Sequence, residues 1–497
     1  MSECLTRRDL MKSVLLASVS GASAGFAAAK PDTVVLMLDD KCVAASPGVT
    51  FHLNPAKKHP ENPVLLPGEP HQWDSLQVAW PATVLYDAGE HKFRCWYSGL
   101  DALQKDRDSL DEWPPGYAES DDGIHWRKPE LKQVMQDGHP TNRLRPNWNI
   151  DGFVPTRLMA VFENPFPGTP PSRRFGSDWF ERMPARSAGG EPMKRRRLAW
   201  SPDGINWTPA GLTYELPKGP LFDVHQILCM PDASDAESRV VALAQCKRAR
   251  SWDGRVVRHI AAMRGPDIEK IAGPEEVLLA PEHGIDEELH FASVSRVAEN
   301  FLMLFESDRF SKNPIHGDLR LAVSSDTHRF RRVHPRDAVV STGAKGMWDE
   351  NLLVTTSAAM QEVGDEVYIF YIGCPNVYNS WPRQYTTKLE RRGSLFYPTY
   401  LGLATLPRDR YGYAAGNGTV TTQPLDLGNA VWLNAEGGAL DVAAIDGSGR
   451  QAAQGRLGRE RFQTVYRKVV WSGTPPTGTL RLRVSLSGSD KLYSIRC

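Results

Sequence analysis

Short apolar runs recur along this chain, separated by turns rich in Gly, Asp and Pro. Some alternate with polar residues, as in Leu480-Arg481-Leu482-Arg483-Val484-Ser485-Leu486. Others are apolar almost throughout, as in Val367-Tyr368-Ile369-Phe370-Tyr371-Ile372-Gly373. Alternation marks a strand with one face buried, and a continuous apolar run marks a strand sandwiched on both faces. Strand pairs of this kind are predicted at Ala82–Asp87 with Lys92–Gly99, at Val294–Val297 with Asn300–Phe305, and around Gly364–Gly373. Another strand is predicted at Val240–Gln245.

A repeated unit organises these strands. It is a strand, a tight turn and an aromatic: Ala118-Glu119-Ser120-Asp121-Asp122-Gly123-Ile124-His125-Trp126, then Ala199-Trp200-Ser201-Pro202-Asp203-Gly204-Ile205-Asn206-Trp207. Degraded copies follow at Ala262–Ile268, Leu321–Phe330 and Leu401–Asp409. Asp-Gly supplies the positive φ of a tight turn, the Ser and Asp side chains bond its backbone, and the Trp or Phe packs between neighbours. A period of roughly 60–80 residues is one propeller blade with its loops. The expectation is an all-β chain, a five-bladed β-propeller followed by a C-terminal β-sandwich. Blades are expected near 60–128, 129–210, 211–270, 271–332 and 333–406, with the strand at Thr33–Leu38 closing the ring on the last blade. The Pro-, Gly- and Arg-rich stretch 165–195 reads as a surface insertion. Beyond residue 408 the strands shorten and the turns become regular, which fits a sandwich over 408–497.

Composition sharpens this picture. Gly (41), Pro (37) and Trp (14) are plentiful, which suits many strands joined by tight turns rather than a helical bundle. Lys plus Arg balances Asp plus Glu at 59 each, so no general charge draws the chain to nucleic acid or an anionic membrane. The basic run Lys194-Arg195-Arg196-Arg197 reads as a solvated strand end. At the N-terminus, Arg7-Arg8 in Thr6-Arg7-Arg8-Asp9-Leu10-Met11-Lys12 precedes an apolar stretch from Val14 to Ala29 ending in Ala27-Ala28-Ala29. This is the pattern of a twin-arginine signal peptide, 1–29, handled by the twin-arginine translocase. The mature propeller would then occupy 30–407, in the periplasm or outside the cell, with no transmembrane anchor. Once Cys4 is removed with the signal, six cysteines remain, whose pairing the sequence leaves open.

At this point the chain resembles the five-bladed propeller hydrolases of glycoside hydrolase families 43, 32 and 130, and more closely the exported bacterial proteins described as family-32-like or family-43-like. The resemblance rests on Leu38-Asp39-Asp40, on His59-Pro60-Glu61-Asn62-Pro63-Val64 and on Trp73-Asp74. Near the end it rests on Arg481-Leu482-Arg483 and Leu492-Tyr493-Ser494. It is specific for architecture and weak for substrate. The Asn-Asp-Pro-Asn and Arg-Asp-Pro motifs of invertases are absent, which argues against a fructan.

The resemblance implies glycoside hydrolysis, which needs one protonated and one ionised carboxyl group flanking the scissile bond. Each predicted blade has an acid ahead of its first strand: Asp74, Asp151, Asp223, Glu287 or Glu288, and Asp349 or Glu350. By analogy with the family plan, Asp74 is the base or nucleophile. Asp151 tunes the acid or holds a sugar hydroxyl, and Asp223 or Glu288 is the general acid. Trp73, Trp148, His225, His290, Trp348, Glu350 and Arg383 are the candidates for substrate contact, through ring faces and polar donors or acceptors. The bland reading of each is a loop cap, blade packing or a satisfied core group. The histidines could also face a metal in the channel. No metal-loop pattern is present, so no cofactor and no metal ligand is assigned, a structural calcium ion being left open. The expected partner is an oligo- or polysaccharide. Two other readings compete: a non-catalytic carbohydrate-binding or scaffold propeller, and a sialidase-like enzyme, since Ser120–Trp126 loosely resembles the Asp-box of that family.

Overall fold

The structure is a computed structural model that describes residues 33–100, 113–183, 193–214, 223–250, 254, 256–309, 316–375, 398–428, 430–458 and 465–497. The proposed signal segment lies outside these residues. Among the described residues the regular structure is strand and short 3₁₀ turn, with no α-helix and no helix long and apolar enough to cross a membrane.

Five antiparallel four-stranded groups, called sheets I to V, follow one another along the chain; II and III are separate sheets, and single parallel bridges, Gly317 with Leu352 and Ser357 with Thr83, join IV, V and I into one. Sheet I is Gln77–Asp87, Lys92–Leu100, Pro115–Ser120 and Trp126–Arg127. Sheet II is Val154–Glu163, Phe175–Met183, Met193–Ser201 and Thr208–Tyr214. Sheet III is Asp223–Cys229, Val240–Arg250, Val256–Gly265 and Ala272–Leu279. Sheet IV is Glu288–Val297, Asn300–Arg309, His316–Ser324 and Arg331–Val333. Sheet V is Leu352–Val363, Glu366–Cys374, Tyr400–Pro407 and, as its fourth strand, Lys57–Lys58.

The sheets pack in a cycle. Trp96 and Tyr117 of sheet I share an apolar core with Trp179 and Ala199 of sheet II. Leu198 and Trp200 of sheet II meet Val224 and Ala242 of sheet III. Leu243 and Ile260 of sheet III meet Val294 and Met303 of sheet IV. Leu304 and Leu321 of sheet IV meet Leu353 and Ile369 of sheet V, and Phe370 and Leu403 of sheet V meet Val84 and Phe93 of sheet I. The five first strands also approach one another in the order I, II, III, IV, V and back to I. Side chains pin that inner ring: Thr83 accepts from Val161 N at 3.1 Å, Gln226 exchanges two bonds with the backbone of Val294, and Ser293 accepts from Ala359 N at 2.8 Å.

The Ser-Asp turns work as the sequence suggests. In the first, Ser120 Oγ accepts from Gly123 N at 2.9 Å, and Asp122 Oδ1 accepts from the amides of Ile124 and His125 at 2.8 Å. Ser201–Asp203 and Ser324–Asp326 repeat the pattern. Gly123 and Gly204 both sit at φ +77°, as the turn requires. Trp96 of sheet I donates to the carbonyl of Gly204 at 2.6 Å, so one sheet's turn is locked by its neighbour's tryptophan.

Three expectations are corrected. The N-terminal strand, Val34–Leu36, does not join sheet V. It pairs with Lys491–Arg496, and sheet V is completed by Lys57–Lys58. Its Val34 and Leu36 still pack on the core of sheets IV and V. The stretch 165–195 is not a surface insertion throughout, because Phe175–Met183 is the second strand of sheet II and is largely buried. Its charged residues hid that strand. Asp178 and Glu181 are fully buried and pair with Arg196 and with Arg195 and Arg197 on the next strand. For the same reason the basic run is not a solvated end: Arg196 is fully buried and its guanidinium lies 4.2 Å from the Phe180 ring centre.

Beyond residue 411, two further sheets share one core. One holds Gly412–Gly416, Trp432–Glu436, Arg467–Lys468 and Lys491–Arg496, joined by Val34–Leu36 and Val49–Leu53. The other holds Gly418–Thr421, Leu440–Ile445, Gln451–Leu457, Val470–Trp471 and Gly478–Leu486, with Leu425–Leu427 at its side. Alternation sets the faces: Leu482, Val484 and Leu486 point into the core with Leu433, Leu492 and Ile495, while Arg481 and Arg483 point out.

Candidate functional site

The first strands of sheets III and IV each open on an acid. Asp223 pairs in register with Gln245, and Glu288 with Asp308, so both acids stand where the first strand begins. Two residues on, each strand carries a histidine at a break in register, between Val224 and Gln226 and between Leu289 and Ala292. A bulge turns a side chain out of the regular alternation, which is how His225 and His290 come to lie among buried groups.

Around Glu288 the charges are dense. Arg258, on the third strand of sheet III, donates from Nη1 to Glu288 Oε2 at 2.9 Å and lies 2.7 Å from His290 Nε2. His290 Nε2 is also 3.2 Å from Glu288 Oε2. On its other side, His290 Nδ1 faces Glu306 Oε1 at 3.6 Å and Asp308 Oδ2 at 3.5 Å, both from the second strand of sheet IV. Among the described residues no other side chain or backbone N–H donates to Glu306 or Asp308, and the two carboxyl groups interact with each other. Burial raises both carboxyl groups well above their usual range. The neighbouring acid adds to this, Asp308 for Glu306 and Glu288 for Asp308.

Asp223 accepts from Gln245 Nε2 at 2.7 Å. Among the described residues neither ring nitrogen of His225 has a hydrogen-bond partner. Its ring meets Phe291 edge-on at 5.3 Å. Burial depresses its pKa to about 3, Asp223 opposing and Arg196 reinforcing the shift.

Asp74 sits elsewhere, in a module that occurs twice. Its Oδ2 accepts from Tyr97 at 2.7 Å and from Lys128 at 2.6 Å, and Trp73 stacks on Tyr97 at 5.7 Å. In sheet V, Asp349 accepts from Tyr371 at 3.3 Å and from Lys58 at 2.5 Å, and Trp348 stacks on Tyr371 at 5.8 Å. Glycine is required beside each tryptophan, since a Cβ would come within 2.3 Å of Trp73 at Gly99 and within 2.1 Å of Trp348 at Gly373. Two copies of one arrangement in two sheets mark it as a device that fastens the chain onto the start of a sheet. A cavity of about 370 Å³ opens beside the first copy, lined by His71, Asp74, Lys128, Glu130 and His139 among others.

The remaining candidates are dispersed. Asp151 is 80% exposed at the side chain, stands in a turn at φ +55°, and lies 3.6 Å from Arg195. Glu350 accepts from Asn351 Nδ2 at 3.1 Å and from Gly346 N. Arg383 lies outside the described residues. Trp148 lines a cavity of about 750 Å³ with Arg143, Arg145, Asn147, Asn149 and Thr156. Its Nε1 donates to Glu181 at 2.7 Å, which fixes the ring.

Thus Asp223 and His225 on sheet III and Glu288 and His290 on sheet IV are all buried, with the Phe291 ring against both histidines, while Asp74 and Trp348 contact Tyr97 and Tyr371 and Asp151 is exposed. Sequence reasoning missed Arg258, Glu306 and Asp308. The signal was present in Phe305-Glu306-Ser307-Asp308, where two acids spaced by two fall on one face of an otherwise apolar strand.

No protein-family model matches the sequence, and no curated protein matches it. Solved structures with a related backbone course include a glycosyl hydrolase from Bacteroides ovatus (13% identity, 72% of this chain and 95% of that one, TM-score 0.45). A glycoside hydrolase family 43 arabinoxylan arabinofuranohydrolase from Bacillus subtilis aligns at 12% identity over 89% of this chain and 98% of its own (TM-score 0.39). The beta-1,2-mannobiose phosphorylase of Listeria innocua aligns at 12% identity over 71% and 96% (TM-score 0.42). Likeness at this level concerns the course of the backbone and assigns neither reaction nor substrate.

Proposed function

We propose that this chain is an exported glycan-cleaving enzyme, a five-bladed β-propeller with a C-terminal β-sandwich, in which Asp223 and Glu288 are the working carboxyl pair. The cyclic packing of sheets I to V supports the propeller, and the shared core of the last two sheets supports the sandwich. The observation that carries the functional reading is that Asp223 and Glu288 begin neighbouring first strands, each at the same end of its sheet and each backed by a histidine. Glycoside cleavage asks for a proton donor and a carboxylate on either side of one bond. Glu288, paired with the Arg258 guanidinium, is assigned as base or nucleophile. Asp223, on the neighbouring first strand, is by elimination assigned as the acid. This moves the base from Asp74, whose carboxylate is committed to Lys128 and Tyr97, to Glu288. The twin-arginine segment at Arg7-Arg8 supports export to the periplasm or beyond.

A binding role is the second reading. The 750 Å³ cavity offers a fixed tryptophan, two arginines and two asparagines with no carboxylate in its lining, which suits holding a glycan rather than cleaving it. The Ser-Asp turns lend no support to a sialidase-like enzyme, because they close the ends of sheets I, II and IV away from Asp223 and Glu288. The test is a screen of aryl glycosides and polysaccharides with Asp223→Asn, Glu288→Gln and Asp151→Asn. Each of the first two should cost at least about 100-fold in turnover, and the third little. Turnover untouched by either of the first two variants would remove the assignment. Glycan binding without turnover would favour the second reading.

A further inference from the structure

We propose that His290, Glu306 and Asp308 form a binding site for one divalent transition-metal ion of the zinc–manganese class. The proposal does not depend on the glycan reading. One donor atom from each residue can be chosen so that all lie within 4.8 Å of one another, and all three side chains are buried. The separations from His290 are those of a ligand set rather than of hydrogen bonds. His290 Nδ1 is 3.6 Å from Glu306 Oε1 and 3.5 Å from Asp308 Oδ2. Hydrogen bonds are shorter, about 2.7–3.2 Å. Two ligands bound to one ion at ~2.1 Å and a tetrahedral angle stand about 3.4 Å apart, close to what is found.

Charge points the same way. Glu306 and Asp308 are adjacent, fully buried and both face His290 Nδ1, so two carboxylates there need more positive charge than Arg258 alone brings, and a divalent ion supplies it. One imidazole and two carboxylates suit zinc or manganese better than calcium, which takes six to eight oxygens. The outer partner is also in place. Metal-bound imidazoles usually donate their second N–H to a carboxylate, and Glu288 Oε2 lies 3.2 Å from His290 Nε2. With the ion bound, Nε2 carries that proton. Arg258 Nη1 then turns away from its 2.7 Å approach to the ring and keeps its 2.9 Å bond to Glu288. Sequence motifs would miss this site because its ligands come from two adjacent strands rather than one loop.

The experiment uses the full exported chain. Metal content is measured by mass spectrometry after purification without chelator. The protein is then stripped with EDTA and titrated separately with Zn²⁺, Mn²⁺ and Ca²⁺ while its melting temperature is followed. The expected result is about one zinc or manganese ion per chain, a melting temperature raised by that metal, and an affinity at least about tenfold weaker in Asp308→Asn and in Glu306→Gln. Each amide variant keeps the volume of the buried group and carries no charge. The stripped variants should therefore melt no lower than the stripped parent, which separates loss of binding from loss of fold. His125, on the surface 2.7 Å from Asp122 and 3.4 Å from Glu61, controls for surface binding. Binding abolished by His125→Ala but kept by Asp308→Asn would overturn the proposal. So would no retained ion together with no thermal response to zinc or manganese at millimolar concentration.

Discussion

Glu181 offers the sharpest test of how sheet II is held together. Its carboxylate is fully buried, yet it faces two guanidinium groups: Arg197 Nε at 2.5 Å and Arg195 Nε on the other oxygen. Trp148 Nε1 donates to it at 2.7 Å. Glu181→Gln keeps the volume and removes the charge. Arg197, itself buried, then loses its carboxylate, and the amide NH₂ is turned toward groups that only donate. Breaking a buried pair from one side costs about 3–5 kcal/mol. Sheets I to V span roughly 330 residues, and unfolding entropy is about 2.1 cal/mol/K per residue, so ~4 kcal/mol should lower the melting temperature by about 6 °C. Asp151→Asn is the matched control, because its carboxylate is 80% exposed and only 3.6 Å from Arg195. It should leave the melting point within error. Calorimetry or thermal circular dichroism on both variants decides the matter. If Glu181→Gln melts with the parent protein, the buried charge pairing is not what secures this strand, and the account of why its acids sit inside the fold is wrong.

Further consequences follow from the duplicated module and from His225. Asp74→Asn and Asp349→Asn each remove the carboxylate shared by a lysine and a tyrosine, so both should lower stability by similar amounts, about 1–3 kcal/mol, read from denaturant midpoints. A large loss of turnover at wild-type stability in Asp74→Asn alone would return that residue to catalysis. His225 titrates near 3 in the fold because it is buried, against about 6.5 unfolded. Below pH 6.5 the unfolded chain takes up a proton that the folded chain refuses, so stability falls as pH drops toward 3, by about 2 kcal/mol already at pH 5. His225→Phe should flatten the stability–pH curve between 6.5 and 4, and an unchanged slope would exclude this histidine as its source.

What could be read from the sequence depended on whether burial showed as hydrophobicity. Strands such as Val367–Gly373 and Leu480–Leu486 announce themselves because their inward residues are apolar. The Asp-Gly turns announce themselves because only a few residues accept positive φ. Phe175–Met183 did not, since Asp178 and Glu181 occupy buried positions on its two faces and their arginine partners lie on the neighbouring strand. The same blindness dispersed the candidate site. An acid before a strand looks alike in sequence whether it fastens a loop, as Asp74 does through Lys128 and Tyr97, or opens the strand itself, as Asp223 and Glu288 do. What separates them is the partner contributed from far along the chain: Lys128 for Asp74, Gln245 for Asp223 and Arg258 for Glu288. Where a sheet must bury charge, the informative pattern is therefore paired. Acids buried in mid-strand with arginines on the next strand are the signal of a strand: Asp178 and Glu181, three apart, do this on opposite faces of Phe175–Met183, whereas Glu306 and Asp308, two apart, share one face, with no arginine hydrogen-bonded to either among the described residues. Arg258, held by Glu288, is the cation whose charge acts on both of these acids, whereas in sheet II each buried acid has an arginine in direct contact.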